Sequence, residues 1–202
     1  MPDRIFGDRE KALEANYFRN EDERLLAKLR EGAKLDEVSQ AVRDKLNVDN
    51  PDLLQRVRAL GITADTASAF LLAPLVQVAW GGGSVSREER ETVLNLARER
   101  GVDDGSASQS QLVTWLDKRP ADELFETSIE VIKYGLAVLP HYEQEERVRR
   151  VVEACHEVAR ASGSKISWVL GLFDGINSSE ASILDTITKA LKLANNPPRT
   201  AT

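Results

Sequence analysis

The side chains of this chain that could do chemistry are few and far apart. Its single cysteine, Cys155, stands beside one of its two histidines, His156, and a Cys/His pair is the least from which a nucleophile and its base can be built. Both fall in a segment patterned as a helix, where neighbouring side chains diverge by about 100° around the axis. Cys155 also lies on the apolar stripe of that helix, the place of a small core residue rather than a reactive thiol. His141 follows Pro140 at the start of the same helix and reads as a surface residue, and two histidines without further cysteines make no zinc site. The loop Gly81-Gly82-Gly83-Ser84 has the glycines of a phosphate cradle, but it follows a helix rather than a strand and lacks the Lys-Ser/Thr of a nucleotide loop. Paired acids such as Glu88-Glu89 and Asp103-Asp104 read as solvated helix ends, where carboxylates favour the positive end of the dipole. No catalytic, cofactor-binding or metal-ligating set follows from the sequence, no cofactor is expected, and an enzyme ranks last among the functional readings.

Composition bounds what must carry these groups. The 202 residues are 42% hydrophobic, 30% charged and 5% aromatic, with net charge −6. A chain of this length buries about 70% of its unfolded surface, so it folds without disulfides or a structural metal. The acidic balance and the lack of a Lys/Arg block argue against a nucleic-acid partner. The N-terminus lacks the apolar core and cleavage site of a secretory signal, so a cytoplasmic protein is expected. The longest apolar stretch, Ala67 to Trp80, is broken by Ser68, Pro74 and Gln77 and falls short of the roughly 20 residues that span a bilayer. It reads as one core helix, with Pro74 either kinking it or marking its true start. Trp80 and Trp115 are expected to pack; Trp168 packs or belongs to a binding surface.

The pattern is helical throughout, and an all-α fold of eight or nine helices without a sheet is expected. Residues 1–35 form a charged amphipathic N-terminal helix whose stripe, Leu13, Tyr17, Leu25, Leu26 and Leu29, is thin enough to leave it partly unburied. Residues 36–62 form a short helical linker region, in which Asn50 caps a helix begun by Pro51 and ended by Gly61. Residues 63–194 hold the stronger stripes: Phe125, Ile129, Ile132, Leu136 and Leu139; then Val148, Val151, Val152, Cys155, Val158 and Ala159; then Ile183, Leu184, Ile187, Leu191 and Ala194. The tail 195–202 is expected to be disordered.

Two segments of that region resemble one another. Leu75 to Ala79, a glycine-rich loop and a helix opened by Val85-Ser86-Arg87-Glu88-Glu89 parallel Cys155 to Ala159, a longer loop and a helix opened by Ile176-Asn177-Ser178-Ser179-Glu180. Each second helix begins with a capping box, Ser86 with Glu89 and Asn177 with Glu180, which accounts for both glutamates without a ligand.

The phrase from Pro74 to Arg90, with Val158 to Gly163 and Ile176 to Leu184, resembles the TerB-like family of bacterial tellurite-resistance and stress-associated helical domains, over about residues 63 to 193. The resemblance implies a helical bundle of two similar halves around one core. The family usually reads Ala-Asp-Gly where this chain has Gly81-Gly82-Gly83, and its loop aspartates and nearby glutamates have been proposed to hold a cation. Here the corresponding acids are Glu88, Glu89, Asp174 and Glu180. The opening Phe6 to Phe18 resembles, over 15 to 30 residues, the zeta-type inhibitor subunit of alphaproteobacterial ATP synthase. The leading expectation is a non-enzymatic protein-interaction or scaffold module, linked by resemblance to stress or tellurite response, that engages a partner or a second copy through residues 4–31. The alternatives are a cation-binding sensor using the acidic helix starts and an ATPase inhibitor acting through residues 4–30.

Overall fold

Asn50, Ser86 and Ser106 cap helix starts with their side chains, and left-handed Asn47, Gly61 and Gly101 follow helix ends. The computed structural model describes residues 24, 40–161 and 178–193. The N-terminal helix expected over 4–31, the loop holding Trp168, Asp174 and Asn177, and the tail 195–202 lie outside the described residues. The chain divides into two compact units, Met1–Ala41 and Val42–Thr202. Of the first, Arg24, Gln40 and Ala41 are described, all helical and exposed.

Helix α1 (residues 40–46), of which 42–46 belong to the second unit, ends at Asn47, whose φ of 52° is tolerated by asparagine. Helix α2 (Pro51–Ala59) starts as expected, with Asn50 Oδ1 accepting the Leu53 N–H at 3.1 Å, and Gly61 stops it at φ 74°. There follow α3 (Ala67–Leu71), α4 (Ala73–Ala79), α5 (Arg87–Glu99), α6 (Ala107–Asp117), α7 (Asp122–Ala137), α8 (His141–Ala161) and α9 (Ser178–Leu193). Among the described residues there is no strand, so the all-α expectation holds there. None of their helices is long and apolar enough to cross a membrane.

The apolar run from Ala67 to Trp80 is not one helix but two, α3 and α4, divided at Leu72. Pro74 supplies the reason. Without an N–H it leaves the carbonyl four residues back, Phe70, without its helical partner. That oxygen instead accepts the Ser128 hydroxyl of α7 at 2.7 Å.

Helix α4 is buried at Ala73, Pro74, Leu75, Val76, Val78 and Ala79 and packs against α5, α6, α7, α8 and α9. An element apolar on nearly every side belongs at the centre of a bundle. Around it are Phe70, Phe125, Leu112, Leu116, Cys155, Ile187 and Leu191, all buried. Val42, Leu46, Leu54 and Val57 belong to the same cluster. Full burial of each such side chain contributes about 1.5–3 kcal/mol. The stripes of α7, α8 and α9 face inward over the described residues, with Ile129, Ile132, Leu139, Val151, Val152 and Ile183 half-buried at their edges, while Ala194 of the expected third stripe lies outside the described residues.

Polar staples fix α7 against its neighbours. Ser128 reaches α3, while Thr127 accepts from Arg56 of α2 at 3.0 Å and the same arginine pairs with Glu130. The Ser108 hydroxyl donates to the Asp65 carbonyl at 2.7 Å and accepts the Ala69 N–H at 3.3 Å, holding α6 on α3.

Candidate functional site

The cysteine and the two histidines of the described part of the molecule stand in three different settings. Burial pushes the Cys155 thiol up to about 12, so at neutral pH it is protonated and inert, as its place on the stripe implies. His156 is half-buried with Nδ1 unpartnered, and His141 is exposed at the start of α8, 3.6 Å from Glu145. Trp80 donates its indole N–H to the Trp115 carbonyl at 2.8 Å, the packed arrangement expected of it.

The acids singled out in the sequence part company. Glu88 is exposed, whereas Glu89 and Glu180 are each 2% exposed. Ser86 and Glu89 form the full capping box: Ser86 Oγ accepts the Glu89 N–H at 3.1 Å, and Glu89 Oε2 accepts the Ser86 N–H at 2.7 Å. The other oxygen, Glu89 Oε1, is buried without a partner. Glu180, third residue of α9, lies close enough to act on it. Desolvation first, then the charges of Glu180 and Glu88, push the Glu89 carboxyl up, against the hydrogen bonds of Ser86. Gly81 brings the two helix starts together: a Cβ there would lie 2.8 Å from Glu180 Cγ and 2.9 Å from the Val78 carbonyl oxygen. Among the described residues no three Asp, Glu, His or Cys side chains stand together as a metal site, and Asp174 lies outside them.

A second feature was not foreseen from sequence. An open trough of about 560 Å³ runs along the outer edge of α7. Its floor is Val131, Ile132, Leu136 and Leu139, with Leu71 and Val151 as its apolar walls. Leu71 is one of the large apolar side chains left exposed, at 36%. Gly135 sits in the floor, and a Cβ added there would meet nothing within 4 Å. The rim carries Lys45, Arg100, Arg147 and Arg150, and no acidic residue lines the trough. Arg150 pairs with Glu146 and Arg100 donates to the Leu96 carbonyl, whereas Lys45 and Arg147 make no ion pair with a described residue.

Two other hollows differ in chemistry. That beside α2 balances Arg56 and Lys133 against Asp52 and Glu130. That between α5 and α8 sets Arg100 and Arg150 against Glu99, Glu153 and Glu157. The trough is the hollow of these three with one sign of charge. A sequence signal for it exists in Gly135, a residue that costs about 1 kcal/mol in a helix interior relative to alanine and has no turn to explain it.

Compared with known proteins, the chain matches no family model, no curated protein and no solved structure. The function therefore rests on the molecule's own surfaces.

Proposed function

We propose that this protein is a non-enzymatic interaction module of TerB-like, two-halved design whose docking surface is the α7 trough. The observation that carries the reading is the trough itself, where exposed Leu71 and half-buried Ile132, Leu139 and Val151 stand over buried Val131 and Leu136, with four cations and no acid in the lining, in a chain of net charge −6. Exposed apolar surface with a polar rim is the usual mark of a protein-binding face. The burial of Glu89 and Glu180 at paired helix starts supports the two-halved design. Residues 4–31 add a further contact, to the same partner or to a second copy, in the cytoplasm. The link to stress or tellurite response rests on the family resemblance. The test is co-isolation with the full chain and with Gly135→Leu, which fills the trough floor. A partner retained by the wild-type chain and lost from the variant supports docking there; identical partners for both overturn it.

One observation favours a second reading, a cation-responsive sensor. Glu89 Oε1 is buried, unpartnered and close to a second carboxylate, and hard divalent ions are held by carboxylate oxygens with water completing the shell. Calorimetry with calcium, magnesium and zinc tests it. Heat of binding that disappears in Glu89→Gln supports this reading, and no heat at millimolar ion dismisses it.

A further inference from the structure

The chemistry of the trough specifies its occupant, and we infer that it docks an acidic amphipathic helix of a partner protein. The inference rests on the interaction-module reading and names the partner that such a module would hold.

Shape comes first. Val131, Ile132 and Leu136 lie on α7 and Leu139 just past its end, a floor of nine residues and so about 12 Å, or a little over two helical turns. That length matches apolar side chains at positions i, i+3 or i+4, and i+7 of a docked helix.

Gly135 supplies the second argument. It has ordinary helical backbone, no atom stands where its Cβ would be, and nothing in the fold needs a glycine there. Its absent side chain leaves a notch at mid-floor, where an anchoring side chain of the partner fits.

Charge supplies the third. Lys45 comes from α1, Arg100 follows α5, and Arg147 and Arg150 stand one turn apart on α8. Four cations from three parts of the fold line the hollow with no acid among the lining residues; Arg150 pairs with Glu146, and Arg100 and Arg150 also face Glu99, Glu153 and Glu157 in the neighbouring hollow, so among the described residues Lys45 and Arg147 carry the uncompensated positive charge of the rim. Aspartates or glutamates flanking the apolar stripe of a docked helix complement that rim, while lysines there are repelled. The Arg150–Glu146 pair is exposed on both sides and yields readily to a competing carboxylate.

The test uses the full chain and two labelled synthetic helices of about 16 residues, each with a leucine stripe, one flanked by glutamates and one by lysines, read by fluorescence anisotropy. The glutamate peptide is expected to bind saturably and more weakly as salt rises, and the lysine peptide not to bind. Arg147→Glu with Arg150→Glu is expected to weaken it about tenfold or more, as the loss of rim charge requires. Gly135→Leu is expected to do the same by occupying the notch, with a urea midpoint no lower than wild type showing that the fold is intact. Equal binding of both peptides, or binding indifferent to Gly135→Leu, overturns the proposal. Binding of the lysine peptide alone, blocked by Gly135→Leu, overturns the acidic assignment while leaving the docking module standing. If neither peptide binds and light scattering shows a dimer that Gly135→Leu dissociates, the occupant is a second copy and the proposal fails.

Discussion

Two glycines illustrate how opposite roles are written with the same residue. Gly81 stands where a Cβ would meet Glu180 and the Val78 carbonyl, so Gly81→Ala is expected to cost about 1–3 kcal/mol through forced displacement of α9. Gly135 faces open space, so Gly135→Ala is expected to gain about 1 kcal/mol from helix propensity alone. Urea unfolding of the two variants checks both signs, and a destabilised Gly135→Ala would mean that the notch is filled by protein. Glu89 sets a third expectation. Its carboxyl is pushed above the ordinary 4.5 chiefly by desolvation, so the folded state holds the proton more tightly than the unfolded chain does. Its ionisation thus weakens the fold near neutral pH, and that penalty fades as pH falls through the raised value and is gone below 4.5. Measured against Glu89→Gln, wild-type stability should therefore improve as pH falls from 7 towards 4.5. A difference that stays constant with pH would contradict the burial of an ionised carboxylate.

At the scale of the element, local chemistry was legible and long-range polar bonds were not. Asn50, Pro51 and Gly61 bound α2 as the sequence indicates, and Ser86 with Glu89 forms the expected box, because each interaction spans four residues or fewer. The division of α3 from α4 was legible only as an alternative. Proline marks a carbonyl that loses its partner, but that Ser128, 58 positions away, takes it up is a tertiary fact. Ser128→Ala is expected to cost about 1–3 kcal/mol, since the Phe70 carbonyl is then buried without a partner. Thermal unfolding checks this, and a loss below a few tenths would mean that the carbonyl finds another donor. The trough escaped the sequence for the same reason. Lys45, Arg100, Leu71, Gly135 and Arg147 lie on five different stretches of chain, and no spacing in the sequence joins them. The inertness of Cys155, by contrast, was readable from its register on the α8 stripe.

For the whole molecule, a net charge of −6 coexists with a cation-rimmed hollow among the described residues, a contrast that an oppositely charged partner would complement. The floor is carried by α7, which is stapled on its other sides by Arg56, Thr127, Ser128 and Glu130, so the helix proposed to dock there would meet a pre-formed surface and need little ordering of it. On the docking proposal, the rate of association should fall as salt shortens the reach of the rim charges. Light-scattering mass of the full chain against a chain lacking residues 1–35 separates the trough from the N-terminal segment. A shift to monomer on truncation assigns assembly to residues 4–31, whereas a monomer mass for both leaves that segment free for another protein.

The central claim, that α7 and its cationic rim form a docking face for an acidic amphipathic helix, is tested most directly by an amide chemical-shift titration of the labelled full chain with the glutamate-flanked peptide. The account predicts shifts concentrated at residues 131–139, at Leu71 and at Arg147 to Val151, with Glu89 and the start of α9 undisturbed. Shifts centred elsewhere, or none at peptide excess, would contradict it.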